Sequence, residues 1–389
     1  MTNTTNTTEL YTPGHNVFTD TLIMHGMIRV LSWIGANEGE VERIGERYRI
    51  SVKNGDNVNK LLYGTLGDLK VKSAEDLKVM LNIYSSMEKE DLSSTVKKFH
   101  NVRNFNLSAT RNWPADLNRG LEGLNLTPYK IVNHIDHYNE RRKQRKKKEL
   151  TAYLPLGPIY GKYVGESYKI IDASYSICLN CFTLSTLGLI YGTGIAFLEI
   201  RQQRKTKLNY YYVTIAPTKA TFDEIILFQR SVEELNIDLR EEGRRKSNAI
   251  QGVTALATML YLFSYGETVV LFDNPVDILM WGIETERQGP IRIIELTRVT
   301  GKKLLEAIAR IKYRIPEYPR IAKVVIAKDP MLLHAIAESV IFGTDPYNVV
   351  REYRRLTDEI SKEGEKEVAK LMKEYSADLA KVLLNLSIS

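Results

Sequence analysis

Apolar side chains recur along this chain in two rhythms, and the changes of rhythm mark its elements. From Phe18 to Ile34 the residues Leu22, Ile23, Met27, Ile28, Val30 and Leu31 continue an apolar face begun by Val17, and Gly35 stands where such a helix would end. Between Val41 and Val52 the period shortens towards two, with Ile44, Tyr48 and Ile50 among the favoured types, and predicts a strand. Helical patterning covers 75–100 and again Tyr129 to Lys148, with an Asn-, Gly- and Arg-rich stretch of loops over 101–127 between them. The two prolines and three glycines from Leu154 to Gly165 stop the second helix. A buried helix is expected over 173–189. Ile195 to Arg201 and Leu208 to Ala216 predict a hairpin, with Arg201-Gln-Gln-Arg-Lys-Thr-Lys207 at its tip. Helices over 219–241 and 246–264, a strand at Thr268 to Asp273, a strand-like run from Ile291 to Leu296 and further helices carry the chain to Tyr318.

The last sixty residues are punctuated more sharply. Asp329-Pro330 and Asp345-Pro346 each pair an N-cap carboxylate with a proline at the first helical position, and Gly343 and Gly364 stand where helices would stop. Val349, Tyr353, Leu356 and Ile360 form one apolar stripe; Val368, Leu371, Tyr375, Leu379, Val382 and Leu386 form the next. The expected fold class is therefore α+β: a mixed helix/strand main body over 1–328, carrying a basic loop at 141–165 and a basic hairpin at 195–216, followed by a C-terminal three-helix bundle over 329–389. A bundle of that size buries a small core and is expected to lean on a neighbour.

Composition adds limits. A chain of 389 residues, 43% hydrophobic and 26% charged, can bury a sizeable core without covalent staples. Its two cysteines, Cys178 and Cys181, build no extracellular disulfide framework. Met1 to Leu10 is a Thr/Asn string with neither the basic flank nor the apolar run of a secretion signal; a short disordered tail and a cytoplasmic location are expected. Ala173 to Leu198 and Ser247 to Gly266 carry no charge and are long enough to cross a bilayer, but their Ser, Thr, Asn and Gln side chains would be costly in lipid. Both read as core, with no membrane partner.

Charge changes the picture most. Arg141, Arg142, Lys143, Arg145, Lys146, Lys147 and Lys148 are seven cations without an intervening acid, and removing them from the net charge of +7 leaves the rest of the chain neutral. So local an excess fits an anion-binding device, and Lys/Arg clusters bind phosphate backbones by releasing counterions. The hairpin tip adds Arg201, Arg204, Lys205 and Lys207 beside Tyr210, Tyr211 and Tyr212. A basic finger near aromatics suits backbone tracking or base stacking, although strand alternation sends Tyr211 to the face opposite its two neighbours, so that some of these rings belong to the core.

Candidate chemistry is sparse. Cys178-Leu-Asn-Cys181 offers two of the four ligands of a structural zinc, no second pair exists, and the flanks are apolar; two packed thiols, or a disulfide under oxidation, is the reading. His134, Asp136 and His137, with Glu140, could gather on one helix and would be the residues of a metal-dependent nuclease; a solvated polar face is the plainer reading. No phosphate loop, dinucleotide fingerprint or nucleophile elbow occurs. No catalytic residue, metal or cofactor is expected.

Three stretches carry a resemblance. Thr12-Pro-Gly-His-Asn-Val-Phe-Thr-Asp20 running into Leu22-Ile-Met-His-Gly26, then Tyr160-Gly-Lys-Tyr-Val-Gly165 followed by Cys178-x-x-Cys181 and Leu187-Gly-Leu189, and a helical C-terminus, together resemble the large subunit of archaeal subtype I-A CRISPR surveillance (Cascade) complexes. The resemblance implies a non-catalytic partner in an RNA-guided antiviral effector, placed near the 5′ end of the guide. There it would help to recognise the motif flanking the target and hold the opened DNA strands. It implies as partners the guide RNA ribonucleoprotein, target DNA, the subunit that binds the guide's 5′ end, the small subunit and the helicase/nuclease, and it transfers no individual motif-reading residue. The residues alone leave two rivals: the metal-dependent nuclease at His134, Asp136 and His137, and a scaffold whose basic run meets only an acidic protein.

Overall fold

The computed structural model describes residues 7–53, 58, 119–132, 150–152, 156–158, 175–202, 205–233, 236–238, 254–265, 271–286 and 292–387. They fall into two compact units, one of residues 1–193 and 216–229, the other of 194–215 and 230–389. Helices and strands are mixed throughout, as the α+β expectation requires. The boundary expected at Lys328 falls inside the second unit.

In the first unit, β1 (Thr7–Tyr11), β3 (Arg47–Lys53), β2 (Gly39–Ile44) and β8 (Lys219–Thr221) lie side by side as an antiparallel sheet. Its register puts Leu10, Ile50, Val41 and Ala220 in one row across all four strands, each at most 1% exposed, which is what pins the pairing. In the row of Tyr11, Arg49, Glu42 and Lys219, Arg49 pairs with Glu42 and reaches Glu9 at 3.9 Å. Two expectations change here. The end of the presumed disordered tail is strand β1, because Leu10 supplies the first member of the buried row. The single strand read over 41–52 is a tight hairpin, turned at Gly45 with φ +65°.

Helix α1 (Val17–Trp33) is buried all round apart from Arg29 and its last turn. The guanidinium of Arg29 lies 4.3 Å from the ring of Tyr191 and 5.7 Å from that of Trp33. Beside α1 runs α2 (Leu179–Tyr191), which begins later than the sequence pattern suggests for the core run, after the short strand β5 (Tyr175–Ile177) paired with β4 (Leu150–Ala152). After β8, the amphipathic helix α3 (Phe222–Glu233) packs through Ile225, Phe228 and Gln229, shorter than the expected 219–241. The amide of Gln229 donates to the His25 carbonyl of α1 at 2.8 Å.

The second unit is built on a sheet of order β11 (Arg292–Thr300), β10 (Val276–Glu286), β7 (Lys205–Pro217), β6 (Gly194–Gln202) and β9 (Asn236–Asp238). The expected hairpin is present as β6–β7, paired in register from Gly194↔Val213 to Gln202↔Lys205. The interior strand β10 was not expected. Val276, Ile278, Leu279, Met280, Trp281 and Ile283 are all fully buried, so both faces are covered and the alternation that betrays a half-exposed strand is missing. The strand expected at 268–273 has no regular structure over its described part, 271–273. The described helices of the unit are α4 (Ala255–Tyr265), α5 (Gly301–Arg314), α6 (Tyr318–Lys328), α7 (Pro330–Phe342), α8 (Pro346–Lys362) and α9 (Lys366–Ser387).

The C-terminal helices follow their punctuation. The carboxylate of Asp329 accepts the Leu332 N–H at 3.2 Å, and that of Asp345 accepts from Tyr347 and Asn348 at 2.9 and 3.4 Å. Gly343 (φ +68°) and Gly364 (φ +93°) end α7 and α8 in the left-handed region. Val349, Tyr353, Leu356 and Ile360 are buried as read. On α9 the buried line runs through Ala369, Met372, Ser376, Leu379 and Leu383, and Val368, Leu371 and Tyr375 are only half-buried beside it. Small Ala369 and Ser376 allow close approach, which a reading weighted by side-chain size passes over. No described helix is long and apolar enough to cross a membrane.

Candidate nucleic-acid interface

The seven cations at 141–148, Arg204, and the residues His134, Asp136, His137 and Glu140 lie outside the described residues, as do Tyr160 to Gly165. The hairpin places Arg201 near the end of β6 and Lys205 and Lys207 at the start of β7, with Arg201 opposite Thr206 and Lys207 opposite Ile200. Of the neighbouring tyrosines, Tyr211 and Tyr212 are core residues, 3% and 4% exposed. Tyr212 stacks on Trp281 of β10, centroids 5.5 Å apart and planes 12° from parallel, while Tyr211 fills the space over Gly282. Those two rings hold the sheet together and are not offered to a base.

Of the stretches that carry the resemblance, Thr12 to Gly26 and Cys178 to Leu189 meet in the first unit. Asn16 caps α1, its side-chain oxygen accepting the Thr19 N–H at 2.9 Å. One turn into the helix, the carboxylate of Asp20 reaches back and accepts the backbone N–H groups of Gly14 at 2.7 Å and Asn16 at 3.1 Å, with Thr12 and His15 adding further bonds. Gly14 has φ +86°, the left-handed region that favours glycine, and a Cβ there would lie 2.3 Å from the Arg47 side chain, which would have to swing aside. Thr12 in turn exchanges bonds with the backbone of Tyr48 at 2.8 and 2.9 Å, tying the loop to β3. Burial pushes the Asp20 carboxyl up to about 6, against the opposing pull of its hydrogen bonds.

Gly26 and Gly188 are the two sides of the α1–α2 contact. A Cβ on Gly26 would stand 2.0 Å from the Leu184 carbonyl oxygen, and one on Gly188 would stand 1.8 Å from that of Leu22. The helices therefore touch backbone to backbone. At the start of α2, Cys178 is the N-cap: its sulfur accepts the Cys181 N–H at 3.4 Å, and it is half-buried. Cys181 is buried and shares a hydrogen bond of 3.2 Å with the Tyr129 hydroxyl. Burial and the neighbouring thiol hold the Cys181 thiol well above its usual range.

These stretches thus pack a helix pair and its entry loop. Residues 8–375 match the model of the CRISPR-associated protein family Cas_Csa4. The chain belongs to this family. Among curated proteins it is similar to the "CRISPR system associated protein Cas8" of Thermoproteus tenax, 34% identical over 359 residues that cover 88% of this chain and 91% of the relative. The reading of the chain as a large subunit of a type I CRISPR complex is borne out at this level.

Within this Csa4-family chain, a basic face that the sequence reading passed over lies in the second unit. Helix α5 carries Lys302, Lys303, Arg310, Lys312 and Arg314 against the one acid Glu306. Leu304, Leu305, Ala307, Ile308 and Ile311 bury its inner side, which turns Lys303, Arg310, Tyr313 and Arg314 to the exterior. Tyr313 is 89% exposed. A groove of about 650 Å³ opens here, lined by Glu306, Ala309, Arg310, Tyr313 and Arg314 together with Leu271 and, from α9, Val382 and Asn385. The signal was in the sequence: the apolar stripe of α5 leaves an aromatic residue out.

Proposed function

We propose that this chain is the non-catalytic large subunit of an RNA-guided CRISPR interference complex in the cytoplasm. In it the chain contributes to recognising the motif that flanks the target and holds the opened DNA strands. Its partners are the guide RNA ribonucleoprotein and target DNA, the subunit at the guide's 5′ end, the small subunit and the helicase/nuclease. The observation that carries the reading is family membership along nearly the whole chain, 8–375. The charge pattern supports it, because the entire positive excess sits in 141–148, where phosphate contact calls for it. Delegating sequence recognition to the guide leaves the protein two tasks, a short flanking motif and the strand backbones, and neither needs a catalytic group.

The test is assembly of the complex with and without this chain, followed by binding to target duplexes that carry or lack the flanking motif. Loss of motif-dependent binding on omission is expected; motif discrimination that survives omission would overturn the proposal. The chain alone, given single- or double-stranded DNA with Mg²⁺ or Mn²⁺, should cut neither. Cutting that His134→Ala abolishes would put the nuclease reading in its place.

A further inference from the structure

We propose that the groove between α5 and α9 is a binding site for unpaired DNA, with a base lying on the ring of Tyr313 and the neighbouring phosphates held by Arg310 and Arg314. The inference rests on the function proposed above for the presence of an opened strand. The site itself is argued from the groove.

Tyr313 is the starting point. A phenol ring that is 89% exposed forgoes nearly all of the burial free energy its size could supply. Basic residues in a last helical turn are accounted for by the helix dipole, and Lys312 and Arg314 fit that role. The dipole does not account for an aromatic ring held in water between two arginines. Arg310, Tyr313 and Arg314 are spaced i, i+3 and i+4, so they share one face, and Lys303 extends that face two turns towards the helix start. From Lys303 to Arg314 the helix rises about 16 Å, the length of roughly four or five stacked nucleotides.

The chemistry of the lining selects the occupant. Two guanidinium groups give bidentate donors for phosphate oxygens, and a free π-face takes any base without regard to sequence. Asn385 across the groove offers both a donor and an acceptor to a base edge, and Val382 gives it an apolar floor. Glu306, in the same groove, disfavours a phosphate beside it and leaves an acceptor for an exocyclic amine. An acidic peptide would use the arginines and leave the ring unused. A duplex has its bases stacked on both sides and gives Tyr313 nothing to lie on. Single-stranded DNA uses every part.

The test takes the full chain and a fluorescent 15-nucleotide thymidine DNA strand, with the matching uridine RNA and a DNA duplex as comparison probes. Tyr313→Ala should weaken binding of the DNA strand about 5- to 150-fold, the range for loss of one stacked base. Tyr313→Phe should bind within twofold of the unaltered chain. Arg310→Ala with Arg314→Ala should flatten the log-log salt dependence by about 1.4, roughly 0.7 per phosphate on a single strand. Both sites are exposed, and an unchanged melting temperature in each variant keeps folding out of the result. Unchanged binding in Tyr313→Ala, equal loss for duplex and single strand, or a Tyr313→Phe variant as weak as Tyr313→Ala would each overturn the site. Tighter binding of RNA than of DNA would overturn the choice of occupant. The two proposals fail differently: a complex that still needs this chain to discriminate the flanking motif, but is indifferent to Tyr313, loses the groove and keeps the function.

Discussion

Replacing Gly188 with alanine tests the backbone contact between α1 and α2 directly. The new Cβ would lie 1.8 Å from the Leu22 carbonyl oxygen and 2.5 Å from its carbon, both backbone atoms of a buried helix that cannot rotate aside. Ordinary contact begins near 3.4 Å, so the helices must part by about 1.6 Å, opening gaps along an interface that is otherwise closed. Overpacking of this kind costs about 1–3 kcal/mol and sometimes more, and alanine recovers up to about 1 kcal/mol of helix propensity. With rigid backbone on both sides we expect the upper end, a net loss of about 2 kcal/mol. For a folding unit of about 200 residues that is roughly a 4–8 °C fall in melting temperature, read by circular dichroism or calorimetry. Gly26→Ala meets the Leu184 carbonyl oxygen at 2.0 Å and should behave alike. The double variant should cost less than the sum, since helices already parted by one methyl have room for the other. A melting temperature within 2 °C of the parent, or strict additivity, would refute the reasoning.

Three further outcomes are expected. Between about pH 4 and pH 6 the native protein binds the Asp20 proton more tightly than the unfolded chain does, so stability from this group falls as pH rises through that window, by about 3 kcal/mol for a carboxyl moved from 3.8 to about 6. Asp20→Asn should remove that slope, and denaturant titrations at pH 4 and pH 7 showing parallel changes in both proteins would contradict it. The pair Cys178 and Cys181 should carry no stoichiometric zinc, and the double serine variant should lose stability while keeping nucleic-acid binding; one tightly held zinc per chain by elemental analysis decides against this. Neutralising Arg141, Arg142, Lys143 and Lys146 should weaken nucleic-acid binding and lower the salt slope by about 0.9 for each duplex phosphate that is no longer neutralised; an unaltered slope would remove the run from the interface.

The parts of the fold legible in the sequence were those written in local chemistry. Asp329, Asp345, Gly343 and Gly364 mark helix ends through bonds and dihedral angles within a few residues of themselves, and the structure has them in those roles. Strand β10 was illegible because burial on both faces erases alternation, leaving a run that could equally be helix. The α9 stripe was read correctly at Leu379 and Val382 but one position early over its first half, because Ala369 and Ser376 achieve contact by being small. The hairpin that carries Arg201, Lys205 and Lys207 was readable, the basic run 141–148 lies outside the described residues, and Gly26 and Gly188 were recognised as parts of a motif without their reason. That reason is a pair of long-range contacts, Gly26 with Leu184 and Gly188 with Leu22, 158 and 166 positions apart, and no local pattern contains them. Tyr313 stands out only once Leu304, Ile308 and Ile311 are set as the buried side of α5, because a lone aromatic beside arginines otherwise looks like any helix end.

The order in which this chain leaves the ribosome meets an obstacle in the way its units are threaded. The polypeptide changes unit after Thr193, after Ile215 and after Gln229, so neither unit is one continuous stretch. Strands β6 and β7 emerge first, yet the strand that covers the open side of β7 is β10, which begins at Val276. At ordinary translation speeds of about 5–20 residues per second, that side stays bare for roughly 3–12 seconds. It is an unpaired edge next to the apolar rings of Tyr211 and Tyr212, the kind that recruits stray strands. Nascent chains stalled between about residues 220 and 275 should therefore be the ones that bind chaperones and aggregate, and slowing translation across that interval should lower the soluble yield of an otherwise unaltered protein.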